Sequence, residues 1–155
     1  MKVYVSVQTH SWVTQEADPD DSWDRDNTAM AIDEVTVYKS ENENTKRYWY
    51  PDLEVDAEPG DMVYVVILRY SDGDTFGNDD GNYDVADVFK TEIEALELQN
   101  HFNQWKPEYT KWGSSRSVPF TTEFNGKEYR VPWAGYFEQY ESVDIYPCLV
   151  REDPF

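Results

Sequence analysis

The run "DMVYVVILRY", residues 61 to 70, constrains the fold more than any other stretch of the chain. It holds Val63, Val65, Val66, Ile67 and Leu68 with no Gly or Pro inside. A surface strand alternates apolar and polar residues, whereas a run apolar at successive positions suits a strand covered on both faces. A central strand is therefore expected here. "KVYVSVQ" alternates Val3, Val5 and Val7 with Tyr4, Ser6 and Gln8, the period of a half-buried strand. "EVTVYKS" and "RYWY" suggest a strand pair around the polar turn "ENENTK", and "DVADVF" a strand returning beside the central one. Asn125-Gly126 inside "TTEFNGKEYR" signals a tight hairpin, because both turn residues tolerate positive φ. "VDIYPCLV" supplies a last strand, which Pro147 confines to an edge or a bulge.

One helix stands out. Thr91 as N-cap and Glu94 three residues on form a capping box, and Ala95, Leu98, Phe102 and Trp105 then share one face before Pro107 stops the helix. The expectation is an α+β fold, with a mixed or antiparallel sheet of about five to seven strands and one main helix, residues 91 to 105, packed on a face. Leu98, Phe102, Val65, Ile67, Val5 and Val37 should be deeply buried. The 155 residues suit a single domain, 1–155, that builds its core without disulfides or a structural metal. Aromatic residues make up 16% of the chain, too many for a disordered one.

Charge narrows the partners. Thirteen basic against 32 acidic side chains give a net charge of −19, which repels nucleic acid and anionic membrane surfaces. Neither direct nucleic-acid binding nor membrane association is expected. Residues 100 to 133 carry five basic and three acidic side chains, so −21 falls on the remainder. Cys148 is the single cysteine, there is no apolar run near 18 residues, and "MKVYVSVQTH" lacks the apolar stretch of a signal peptide. A cytoplasmic protein is the expectation. No feature sets the oligomeric state.

Residues 69 to 84, "RYSDGDTFGNDDGNYD", pose the main functional question. As an EF-hand loop starting at Asp72 the stretch places Asp72, Asp74, Phe76, Gly77 and Tyr83 at the diagnostic positions, so two of the five requirements fail. An Asx-turn at Asp72, left-handed φ at Gly73 and Gly81 and a buried Phe76 ring would make it a structured tip on a long hairpin. A connection this long is more often functional or disordered than merely structural.

The same stretch, with "VFKTEIEAL" opening the helix after it, resembles small phage-encoded proteins that carry a Tyr-Ser-x-Gly-Asp-(Ser or Thr)-Phe-Gly motif. The motif positions here are Tyr70, Ser71, Gly73, Asp74, Thr75, Phe76 and Gly77. The likeness spans about residues 62 to 102, and the later "WAGYFEQYESVDIY" is compatible with it. It implies a phage context, hence the cytoplasm of a bacterial host, and no particular chemistry.

Enzymatic signatures are lacking. His10 and His101 are the two histidines, Cys148 lies in an apolar strand-like run, and no G-x-S-x-G, P-loop, H-E-x-x-H or paired-cysteine pattern occurs. The chain is expected to be non-enzymatic, with no cofactor and no metal. Acidic constellations remain. Asp52, Glu54, Asp56 and Glu58 alternate with Leu53, Val55 and Ala57, and an extended backbone would line up their carboxylates about 7 Å apart, a phosphate-like spacing. Residues 9 to 28, expected as a long surface loop, contribute Asp18, Asp20 and Asp21 together with Trp12 and Trp23. The 69–84 stretch adds Asp72, Asp74, Asp79 and Asp80. Carboxylates steer a basic partner and indoles anchor it, so the expected partner is a basic host protein, one that binds nucleic acid and belongs to host defence, inhibited by mimicry of DNA or RNA. A small-molecule or metal binder using the Gly-Asp-Thr-Phe-Gly loop is the alternative. In a third reading, an accessory protein, the acidity only confers solubility.

Overall fold

A computed structural model describes residues 2–40, 53–74, 77–105, 109–110, 113–114, 118–134 and 138–152. In chain order the elements are β1 (Lys2–Gln15), β2 (Asn27–Tyr38), β3 (Leu53–Glu54), β4 (Met62–Asp74), β5 (Gly77–Phe89) and α1 (Glu92–Asn103). There follow β6 (Tyr109–Thr110), β7 (Gly113–Ser114), β8 (Thr121–Phe124), β9 (Lys127–Arg130) and β10 (Glu138–Arg151). The fold is α+β, with a mixed six-stranded sheet in the order β10-β4-β5-β2-β1-β3 and one helix against it.

β4 is the central strand its sequence suggests. Successive side chains point to opposite faces, so Val63, Val65 and Ile67 enter one core with Val3, Val5, Val37 and Val150, while Val66 and Leu68 enter another with Ala95, Leu98, Phe102 and Trp133. Leu98, Phe102, Val65, Ile67, Val5 and Val37 are all buried. β4 pairs antiparallel with β5 on one side and with β10 on the other. β2 crosses this three-stranded layer. It starts beside β5, pairing Thr28 with Asp79 and Ala29 with Asp80, and ends beside β10, pairing Val37 with Val150 and Tyr38 with Arg151. Both contacts are parallel, and they close the sheet on itself around the first core.

The helix begins at its expected cap. Thr91 Oγ1 accepts the Glu94 N–H at 3.3 Å, and its hydroxyl donates to Glu94 Oε1 at 2.8 Å. The reciprocal arm thus runs between side chains and leaves the Thr91 N–H out of it. The helix stops at Asn103, two residues earlier than its apolar stripe suggests. The Trp105 N–H bonds the Phe102 carbonyl in a tighter turn, and the Trp105 carbonyl accepts the Trp133 indole N–H at 3.0 Å. Pro107 lies outside the described residues. The Asn125-Gly126 turn has φ of 51° and 76°, as a two-residue hairpin requires.

One expectation fails and another lies partly outside the described residues. Residues 9 to 28 are not one long loop, because β1 continues to Gln15 and β2 begins at Asn27, leaving residues 16–26 as the connection. The polar composition hid a hairpin arm held mainly by cross-strand pairing, in which Ile32 of β2 still packs against the first core while β1 beyond Val7 is largely exposed. "EVTVY" is the end of this long β2, paired with β1; "RYWY" lies outside the described residues, as does its pairing.

Candidate functional site

Beyond Val7 β1 leaves the core, while Ile32 of β2 still packs against it. Gln8 pairs with Glu34 and the register continues, through a shift at Thr9, to Trp12 against Ala29 and Val13 against Thr28. Trp12 is thus a strand residue rather than a loop residue, yet it stays 47% exposed, and Trp23 in the connecting loop is 74% exposed. The His10 ring stacks on Trp12 at 5.2 Å, and His10 Nδ1 lies 2.6 Å from Asp33 Oδ1. The loop is ordered by its own carboxylates. Asp26 accepts the Ala17 N–H, Asp24 the Asp18 N–H, Asp18 the Asp20 N–H and Asp21 the Trp23 N–H. Residues 8 to 34 hold eight carboxylates and one arginine, a net charge of −7.

The 71–84 stretch is not a free loop. Its residues continue the β4–β5 ladder, with Asp72 opposite Asp79, Gly73 opposite Asn78 and Asp74 opposite Gly77. Thr75 and Phe76 fall outside the described residues, so the expected burial of the Phe76 ring does as well. The turn chemistry sits partly where expected, with φ of 138° at Gly73 and 81° at Gly81. Tyr70 and Ser71 lie in β4, where Ser71 is buried and Tyr70 pairs with Asn82 and Tyr140. Asp80 accepts the Asn78 amide at 2.6 Å and Asp79 accepts the Thr28 hydroxyl at 2.5 Å. Among the described residues, no group of three or more His, Cys, Asp or Glu is arranged to hold a metal ion.

The arm and this hairpin tip meet. Beside the Thr28–Asp79 pairing, Arg25 Nη2 donates to the Gly77 carbonyl at 3.0 Å and the Asn78 N–H donates to Asn27 Oδ1 at 2.8 Å. Two of the three acidic constellations therefore share one end of the sheet. The third does not. β3 pairs with Lys2 and Val3, at the opposite end of β1, and Asp52 lies outside the described residues. Leu53, Val55 and Ala57 are buried, with Glu54, Asp56 and Glu58 exposed, so the alternation itself is present. The expected extended row is not. The strand ends at Glu54, the Ala57 N–H turns back onto the Val55 carbonyl, and Glu58 and Asp56 face Lys39 and Lys90 at 3.3 and 4.0 Å.

Two cations of the 100–133 segment, Lys127 and Arg130, pair with anchors that sequence reasoning missed. Asp84 and Asp87 are buried on β5, where Arg130 reaches Asp84 at 3.4 Å and Lys127 reaches Asp87 at 3.1 Å. Their signal was a charge repeated at two positions in the apolar "DVADVF". Burial, reinforced by Asp84, pushes the Tyr70 phenol up to about 12. At the sheet closure Arg69 donates to the carbonyls of Gly81 and Met30, and Glu141 accepts the Gly81 N–H at 3.0 Å. Burial, and then Asp80, raise the Glu141 carboxyl above its ordinary range. Cys148 is buried, its thiol donates to the Val35 carbonyl at 3.2 Å, and burial lifts its pKa to about 11, which suits an unreactive core residue. His101 is not a solvated surface group. It bonds Thr122 Oγ1 at 2.7 Å and stacks on Phe124 at 4.7 Å.

These features define a small mixed-sheet domain with an acidic, aromatic-bearing arm. Comparison with protein-family models, curated proteins and solved structures returned no match. No helix among the described residues is long and apolar enough to cross a membrane.

Proposed function

We propose that the chain is a non-enzymatic, phage-type binding protein that docks on a basic, nucleic-acid-binding host defence protein and inhibits it by occupying the surface nucleic acid would use. The observation that supports this reading is the meeting of the arm with the β4–β5 tip. Residues 8 to 34 carry −7, Asp72, Asp74, Asp79 and Asp80 add four more carboxylates to the sequence of the tip, and Trp12 and Trp23 stand exposed in the same region. Carboxylates at such density attract a cationic surface over a Debye length of about 8 Å in physiological salt. Exposed indoles supply contact area once the surfaces meet. The exposed acids at Glu54, Asp56 and Glu58 lie at the other end of the sheet, so they belong to general acidity rather than to this surface.

The test is capture of host nucleic-acid-binding proteins at low and high salt, followed by competition of the captured protein against DNA and RNA. Asp18→Asn, Asp20→Asn and Asp21→Asn together keep the local acceptor oxygens while removing charge; they should slow association and flatten its salt dependence. Trp12→Ala with Trp23→Ala should raise the dissociation rate and leave the salt dependence in place. Unchanged binding by both sets, or capture without competition against nucleic acid, would overturn the reading.

A further inference from the structure

A second surface lies on β10, away from the arm. The backbone there sets which groups are open. The Val143 carbonyl accepts the Gln99 side-chain amide at 2.7 Å from α1, so Val143 presents its backbone polar groups away from β4. Backbone groups alternate in direction residue by residue along a strand. Those of Asp144 therefore face β4, and those of Ile145 and Pro147 face outward. Two observations agree. The Val150 N–H bonds Asp61 on the β4 side, and the Arg151 carbonyl bonds Lys39 on the outward side. Pro147, which has no N–H, occupies an outward position, where a proline costs the sheet no ladder bond.

Among the described residues, β10 meets β2 on this outward side at Val150 and Arg151, and β2 diverges from it toward β5. Among the described residues, the neighbour of the edge from Val143 to Pro147 is therefore α1 and not a strand. A groove of about 710 Å³ follows it, walled by Glu92, Leu96 and Gln99 of α1 and by Asp144, Ile145 and Pro147 of β10. Leu96 is 39% exposed, and Leu149 just beyond the groove is 54% exposed. The charged side chains lining the groove are both carboxylates, Glu92 and Asp144.

We infer that this groove binds an extended peptide segment of a partner protein, which adds as a strand to the β10 edge beneath α1 and carries a basic side chain among apolar ones. The open N–H and C=O of Ile145 and the Pro147 carbonyl give the backbone register. Leu96 and Ile145 receive apolar side chains on alternate positions, and the two carboxylates select a cation over an acid. An extended strand beside an edge, walled by a helix, is an established way to recognise peptides.

A random library of extended peptides of about eight residues, the span of an ordinary strand, is selected on the purified folded protein. Enriched peptides are then made in two forms, N-methylated at alternate amides along one edge or along the other. Neither nucleic acid nor a nucleic-acid-binding protein enters the assay, so its result is independent of the arm and of the function proposed above. The expected result is enrichment of sequences with Lys or Arg between apolar positions, loss of binding on methylating one edge, tolerance on the other, and slower hydrogen exchange at the Ile145 amide. Glu92→Gln with Asp144→Asn should weaken binding roughly tenfold; Leu96→Arg, on an exposed helix flank, serves as a second variant if the pair lowers the melting temperature. Absence of enrichment over a protein-free control, equal binding of both methylated forms, or protection confined to amides elsewhere would each overturn the inference.

Discussion

Tyr129 on β9 donates its phenolic proton to the Asp87 carboxylate on β5, and Lys127 approaches the same oxygen at 3.1 Å. Asp87 is 4% exposed, and its other oxygen accepts the Val88 N–H at 2.8 Å. A buried acid therefore anchors the β8–β9 hairpin to the sheet. Tyr129→Phe removes one donor and leaves that carboxylate under-satisfied, so it should destabilise the fold by about 1–3 kcal/mol in urea unfolding.

Stability should fall on the alkaline side. The Cys148 thiol moves from 9.0 to about 11 and the Tyr70 phenol from 10.0 to about 12, chiefly through burial, while burial and the bond to Asp87 raise Tyr129 further. Each group holds its proton more tightly when folded. Its contribution is complete below the ordinary value and disappears as pH rises through the folded one. Melting temperature should therefore decline from about pH 9 upward, and Cys148→Val should remove the earliest part of that decline. Alkylation of Cys148 at neutral pH should be far slower in the native protein than in denaturant.

Glu141 predicts an opposite use of the same sign rule. Its carboxyl is raised by burial and by Asp80, so the charged form is the costly one in the fold and its contribution is lost as pH rises through the folded value. Glu141→Gln keeps an oxygen for the Gly81 N–H and should raise the melting temperature at neutral pH, with the gain shrinking at acid pH where Glu141 is protonated. A variant that melts lower at pH 7 would mean that attraction to Arg69 dominates.

Gly81 has φ of 81°, and a Cβ there would lie 2.1 Å from the Met30 carbonyl oxygen and 2.8 Å from the Arg69 guanidinium. Gly81→Ala therefore combines backbone strain with a clash against β2. It should cost several kcal/mol, the mark of a strained special position, and should increase hydrogen exchange along residues 27–31 more than within α1.

Leu98 is fully buried between α1 and the sheet. Leu98→Asp places an unpaired charge in that core and should abolish cooperative melting or lower stability by more than about 3 kcal/mol. An unchanged melting curve would contradict the helix-on-sheet packing.

Where burial follows periodicity, the fold was legible in advance. Val65 and Val66 on opposite faces of β4, the Thr91 cap and the Asn125-Gly126 turn each express a local rule that tertiary structure left alone. The arm was not legible, because Gln8 to Gln15 is largely exposed and shows no hydrophobic alternation, and its partner strand meets the first core through Ile32, in a stretch that reads as polar. Nor were Asp84 and Asp87, whose burial depends on Arg130 and Lys127 about 40 residues away. The acidic sets at 16–26 and 71–84 were recognisable as acidic, but their meeting depends on Arg25 and Asn27 reaching across to Gly77 and Asn78.

The diagonal course of β2 also sets when the molecule can become whole during synthesis. Cys148 reaches back to the Val35 carbonyl, 113 residues earlier, and Val150 pairs with Val37. The first core is therefore open to water on one side until β10 has left the ribosome. Such distant pairing closes large loops before it is rewarded and makes for slow folding. A nascent chain ending before β10 would display Val63, Val65 and Ile67 to chaperones, and the self-repulsion of its many carboxylates would be its main protection against aggregation while it waits.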